Sequence, residues 1–209
     1  ESLNVIAFEY IYNGGGVGVG DVNNDGLQDI FLAGNMVSSK LYLNTGGFAF
    51  KDVTKTAGVS TDNWCTGIAM VDINQDGLLD IYVSTIHPNM AELPPNLLFL
   101  NKGNNGEGIP IFEEVAARVG LADSSYSTQA AFFDFDVDGD LDVYLMTNFI
   151  ESYNRNTSYG QKHDGSGNSV DKLFRNDGAV NGLPVFTHAR EAGILSEGWG
   201  LGIVVNAIN

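Results

Sequence analysis

Three stretches of the chain carry oxygen donors at alternate positions. They read "DVNNDGLQDI" from Asp21, "DINQDGLLDI" from Asp72 and "DFDVDGDLDV" from Asp134. Carboxylates packed this closely repel one another, and the repulsion is tolerable when a divalent cation sits among them. A hard cation such as Ca2+ takes roughly six to eight oxygens at about 2.3–2.6 Å. Side chains at alternate positions of a tight loop converge on one point, the glycine permits the sharp turn, and one backbone carbonyl fills a further position. The expected ligands of the first loop are Asp21, Asn23, Asp25 and Asp29, with the Leu27 carbonyl. Those of the second are Asp72, Asn74, Asp76 and Asp80, with the Leu78 carbonyl. Those of the third are Asp134, Asp136, Asp138 and Asp142, with the Asp140 carbonyl. The expectation is about three structural Ca2+ ions, one per loop. Mg2+ suits the pattern less, because it keeps most of its waters.

Two rivals share the opening of this pattern. An EF-hand needs a bidentate Glu at its twelfth position and a helix on each side. Here the twelfth positions are Leu32, Val83 and Leu145, all within strand-like runs. The other rival is an Asp/Asn/Gly turn that holds no metal. Recurrence in register three times favours a shared ligand over three coincidental turns.

The elements around the loops repeat as well. A short apolar strand precedes each loop ("GVGVGD", "GIAMVD", "AAFFD"), and a β-prone run follows it ("DIFLAGN", "DIYVSTI", "DVYLMTN"). A third strand reads "LYLNTG", "LFLNKG" and "LFRNDG". The last element reads "FKDVTKTAGV", "FEEVAARVGL" and "FTHAREAGI": a strand whose tail suggests a helical turn. Four short strands per unit at this period predict an all-β fold, a β-propeller segment of three four-stranded blades with the loops between strands one and two. The expected blades run over about 14–60, 65–122 and 127–195, and a fourth starts at about 199–209. That fourth unit has Ala207 at the first ligand position, which puts calcium there in doubt. A chain that opens on Glu1 and closes on "VVNAIN" reads as part of a longer one.

Composition limits the function. The net charge is −16, from 26 acids against 10 bases, and eleven of the acids lie in the three loops. This balance argues against a nucleic-acid partner, which requires a basic footprint. No apolar run approaches the roughly 20 residues that span a bilayer, so no transmembrane segment is expected. Cys65 is the only cysteine, so no disulfide forms within the chain, and a buried apolar role is expected for it. His87, His163 and His188 sit in different repeats without a shared motif, so no catalytic residue is assigned and an enzyme is not expected.

Strand parity places a second surface. The connections between strands two and three lie at the end of each blade opposite the acidic loops, and they vary in length, reaching about 23 residues in the third unit. Long loops on a rigid scaffold are where function tends to reside. Trp64, Tyr126 and Trp199 stand eight residues before the first ligand position of their units. With Tyr153, Tyr159 and His87 they are candidates to rim a surface that takes a carbohydrate or protein ligand. The alternative for these rings is packing between blades.

The motif D-x-[DN]-x-D-G-x-x-D between two strands resembles the FG-GAP/VCBS repeats of integrin-α-like propellers. The "FKDVTKTAGV" element is similar to the branch of cartilage acidic protein and ASPIC/UnbV-type secreted proteins. The resemblance implies a seven-bladed propeller closed by further sequence, calcium in the loops, and adhesion or ligand binding at an extracellular, cell-surface or periplasmic location. Outside this reading stand a calcium-dependent polysaccharide lyase or hydrolase, and a purely structural spacer.

Overall fold

The protein was analysed as a computed structural model that describes residues 14–87, 94–148, 162–167, 169–198, 200 and 202–205. The runs rich in Val, Ile, Phe and Tyr form strands, bounded by Gly, Asn and Asp turns. β1 (Val17–Gly20), β2 (Asp29–Leu32), β3 (Lys40–Asn44) and β4 (Phe50–Asp52) make one sheet. β5 (Trp64–Val71), β6 (Asp80–Ile86), β7 (Leu97–Asn104) and β8 (Pro110–Glu114) make the second. β9 (Ser127–Phe133), β10 (Asp142–Thr147), β11 (Lys172–Val180) and β12 (Leu183–His188) make the third. Each sheet is an antiparallel meander in chain order, with the acidic loops joining its first two strands.

Little of the described chain is helical. The tails after the fourth strands turn once, as α1 (Thr54–Ala57), α2 (Ala116–Val119) and a 3-10 turn over Arg190–Ala192. Each ends on a left-handed glycine, Gly58 (φ 80°), Gly120 (φ 89°) and Gly193 (φ 74°), a conformation that a side chain resists. In the fourth unit, residues 202–205 form no strand, and Ala207 lies outside the described residues.

The sheets stack face to face, and their first strands lie side by side. Thr66 in β5 donates its hydroxyl to the Ser127 carbonyl of β9 at 2.7 Å. One apolar core, including Phe31, Leu41, Ile81, Val83 and Phe99, fills the space between the first and second sheets. Another, including Tyr82, Leu98, Leu100, Val143 and Phe174, fills the space between the second and third. β6 sends Ile81 and Val83 to one core and Tyr82 to the other, so every one of its residues is buried. This is why it reads as a continuous β-prone run rather than an alternating one. Three stacked four-stranded meanders are the arrangement of a propeller-like all-β fold.

Small residues set how closely the first strands approach. A Cβ built on Gly67 would meet the Thr128 carbonyl oxygen at 2.3 Å, and one on Gly18 would meet Ile68 Cγ2 at 2.7 Å. Gly67→Ala is therefore expected to cost about 1–3 kcal/mol in chemical denaturation. Gly106→Ala, with nothing within 4 Å of its Cβ, should change stability by less than about 0.5 kcal/mol. Equal effects at the two positions would contradict this packing.

Candidate metal centre

The three acidic loops share one internal bonding pattern. In the first, the Asp25 and Gly26 amides donate to the two Asp21 carboxylate oxygens at 3.1 and 2.7 Å, and the Leu27 amide donates to Asp25 Oδ1 at 2.8 Å. In the second, the Asp76 and Gly77 amides donate to Asp72 at 2.9 and 2.8 Å, and the Leu78 amide donates to Asp76 at 2.9 Å. In the third, the Asp138 and Gly139 amides donate to Asp134 at 3.1 and 3.0 Å, and the Asp140 amide donates to Asp138 at 3.1 Å. Asn23 and Asn74 each add a side-chain bond of 2.9 Å to the next aspartate, a bond that Asp136 has no proton to make when ionised.

The last aspartate of each motif has a different setting from the other three positions. Asp29, Asp80 and Asp142 are fully buried. One oxygen of each accepts from the loop's second amide: Val22 at 3.0 Å, Ile73 at 3.0 Å and Phe135 at 2.8 Å. The other accepts from an asparagine amide on the third strand: Asn44 at 2.8 Å, Asn101 at 2.7 Å and Asn176 at 2.8 Å. These aspartates therefore pin the loop base to the sheet. Each oxygen keeps a further lone pair, so the expected ligand role does not require either bond to break. The asparagines also work through their side chains. Asn44, Asn101 and Asn176 donate to the Gln28, Leu79 and Leu141 carbonyls at 3.1, 3.1 and 3.4 Å. Sequence reading passed over these asparagines, although the recurring "N-x-G" at the end of the third strand was their signal.

Two observations test whether a cation suits this chemistry. Carboxylate oxygens of Asp134, Asp136 and Asp138 all lie within 4.8 Å of one another. Beside them, the Asp140 Oδ1 atom is buried without a hydrogen-bond partner. Electrostatics agree with the geometry. Burial, then Asp138 and Asp142, push the Asp140 carboxyl up to about 6. Burial, then Asp138 and Asp142, also raise Asp136. Burial raises Asp80 to about 7, with Asp76 and Asp72 adding and the Asn101 and Ile73 amides opposing. Burial raises Asp29 in the same way. A divalent ion would invert this balance by supplying the missing positive charge. The donor set therefore fits a hard cation, with the Asp140 side chain offering an oxygen where only its carbonyl was expected.

Neighbouring loops are tied together. The Asn24 side-chain amide donates to the Gly77 carbonyl at 3.1 Å, and that of Gln75 donates to the Gly139 carbonyl at 2.8 Å. Asn24, Gln75 and Val137 hold the same loop position with φ of 56°, 57° and 63°. Val137 has no donor to pass on, and it is 86% exposed.

The proposed ligand rim is placed differently from its expectation. Trp64 and Tyr126 are buried, at 6% and 2% exposure, and so offer no open ring face. Trp64 lies across from Ile86, itself fully buried. His87 is half-buried just past β6. Tyr153, Tyr159 and Trp199 lie outside the described residues. Cys65 is buried, as expected, with its thiol against the Asn63 carbonyl at 3.3 Å.

Stacked four-stranded sheets with an acidic turn between their first two strands define a class, and residues 21–83 match the family described as FG-GAP-like repeat. Among curated proteins, the chain is similar to cartilage acidic protein 1 of Xenopus tropicalis. The two are 32% identical over 136 residues, 64% of this chain and 20% of the relative. It is also similar to cartilage acidic protein 1 of Mus musculus, 28% identical over 194 residues, 92% of this chain and 26% of the relative. The match thus covers between a fifth and about a quarter of these relatives' length. No helix among the described residues is long and apolar enough to cross a membrane.

A β-branched residue held at positive φ is strained. Val137→Asn is expected to raise stability by about 1 kcal/mol in urea unfolding. An unchanged or lower midpoint would show that the backbone here is not strained.

Proposed function

We propose that this chain is a calcium-stabilised β-propeller segment of an extracellular protein that binds a carbohydrate or protein ligand, and that it is not itself an enzyme. The observation that carries the reading is the Asp134–Asp136–Asp138 cluster beside the partnerless Asp140 oxygen, set in a loop whose bonding pattern recurs twice. Asp21, Asn23 and Asp25 would hold an ion in the first loop, Asp72, Asn74 and Asp76 in the second, and Asp134, Asp136 and Asp138 in the third, with the buried Asp29, Asp80 and Asp142 beneath them. A bound ion supplies positive charge and coordination to oxygens that otherwise repel. Its binding free energy then becomes folding free energy, because the unfolded chain has no formed loop.

The extracellular placement rests on two supports. Oxygen-rich calcium modules of extracellular proteins bind with Kd of about 10⁻⁴–10⁻³ M, so they fill outside cells and stay largely empty in a cytosol. The similarity to cartilage acidic protein 1 points the same way. The first sheet also leaves Val17 and Val19 exposed, at 59% and 58%, on the face away from the second sheet. An apolar sheet face of this kind suits one more blade of the longer propeller.

Thermal unfolding after chelator treatment tests the reading. Millimolar Ca2+ is expected to raise Tm by about 2–4 °C for each kcal/mol of linked binding, with Mg2+ giving much less. Asp136→Ala should remove part of the calcium shift. No response to calcium, or an equal response to magnesium, would contradict the proposal.

A further inference from the structure

Two of the three units share a device that closes the end of the sheet away from the acidic loop. In the first, Asp52 follows the outer strand's aromatic by two residues. Its carboxylate accepts from the Thr54 amide at 3.0 Å, the Thr54 hydroxyl at 2.6 Å and the Lys40 ammonium at 3.0 Å. These bonds hold the Asp52 carboxyl down at about 2, with the Thr54 hydroxyl the largest contributor. In the second, Glu114 occupies the same position and accepts from the Leu98 and Ala116 amides at 3.2 and 2.9 Å. An acid in this position thus fastens the outer hairpin to the start of the third strand.

The third unit breaks the device. Its equivalent of Asp52 is His188, its equivalent of Thr54 is Arg190, and its equivalent of Lys40 is Lys172. Lys172 has no acid on its own hairpin to hold, and pairs instead with Asp123 from the link before β9. The chain around the gap does not fill it. A cavity of about 430 Å3 opens there, with Phe174, Val170 and Leu195 as apolar wall and Asp164 at its edge. Lys162 and Ser169 are held by the buried Glu197, which accepts from the Lys162 amide at 2.8 Å and the Ser169 amide at 3.2 Å. A cavity of this size suits one sugar ring or an amino-acid-sized molecule.

Its charges define what fits. The Lys172 charge is neutralised by Asp123, whereas Arg190 has no ion-pair partner among the described residues. Burial first, then Arg190 and Lys172, lower the His188 pKa, while Asp123 and Glu191 act in the opposite direction. The His188 ring lies 5.6 Å from that of Phe174. Asp164 accepts from the Ser166 side chain and from the Ser166 amide at 3.0 Å, and its remaining lone pairs can accept ligand hydroxyls. A guanidinium with no ion pair among the described residues, an acceptor carboxylate and an apolar wall together suit a hydroxylated organic anion.

We propose that this cavity binds an acidic sugar residue, with its carboxylate or sulfate on Arg190 and its hydroxyls on Asp164. The proposal rests on the binding-protein reading above and gives it a place and a ligand chemistry, but it does not depend on the ions. The site lies at the same end of the blade as the variable loops, with residues other than the aromatics expected there.

Calorimetric titration of the calcium-loaded chain with glucuronate, a sulfated galactose and neutral glucose tests it. One or both acidic sugars should bind at millimolar concentration, the preference between them separating the carboxylate from the sulfate, and glucose should bind much more weakly. Arg190→Ala should weaken binding about tenfold or more, the size of a lost charged hydrogen bond. His188→Asp, which restores the acid found in the other two units, should do the same by giving Arg190 and Lys172 an internal partner. Both variants should keep the wild-type calcium shift in Tm, which separates loss of this site from loss of the fold or of the calcium reading. No binding of either acidic sugar, or binding unchanged in Arg190→Ala, would overturn the proposal.

Discussion

The bond that the rest of the structure depends on is the double acceptance by a buried aspartate. Asp29, Asp80 and Asp142 each take one amide from the acidic loop and one from the third strand. Without it, two backbone donors in each unit would be buried unsatisfied, at about 1–3 kcal/mol apiece. With it, the loop cannot close except over a correctly registered sheet. Strand register, loop shape and placement of the exposed acids thus follow from one side chain. A fully buried carboxylate is costly unless hydrogen bonded, and here the bonds come from backbone donors that need a partner in any case.

Above that anchor the loops concentrate negative charge. Each spends its first aspartate on its own turn amides, and in the third loop carboxylate oxygens of Asp134, Asp136 and Asp138 lie within 4.8 Å of one another. The third loop carries the largest excess, five aspartates against three in each of the others, and it is the one with a buried oxygen lacking a partner. The amides of Asn24 and Gln75 pass each loop's position to the next, so that order in one loop supports order in its neighbour. Val137 ends that relay with a strained backbone and an exposed side chain.

Much of this was legible in the sequence, for physical reasons. The acidic turns, the strands on either side and the helical turns before Gly58 and Gly120 depend on local spacing and backbone preference, which a linear pattern records. The role of the last aspartate was not legible in the same way. Alternation made it look equivalent to the other three, and only pairing of the second strand with the third turns its carboxylate into the sheet. Trp64 and Tyr126 were read as surface candidates because their spacing repeats, but both are buried in the fold. The cavity at His188 was hidden for the converse reason. Its signal is a departure from the repeat at two positions, His188 and Arg190, and their place beside Lys172 shows only once β3, β4, β11 and β12 are aligned.

The central claim is that each loop is built around an ion. Its most direct measurement is the calcium stoichiometry of the chelator-stripped chain by isothermal titration. The account predicts about three ions per chain, since the bonding pattern is the same in all three loops although only the third has aspartate at its third position. A stoichiometry of zero would contradict the claim, leaving the loops as turns closed by their own amides. A stoichiometry of one would confine the site to the third loop and contradict its extension to the other two.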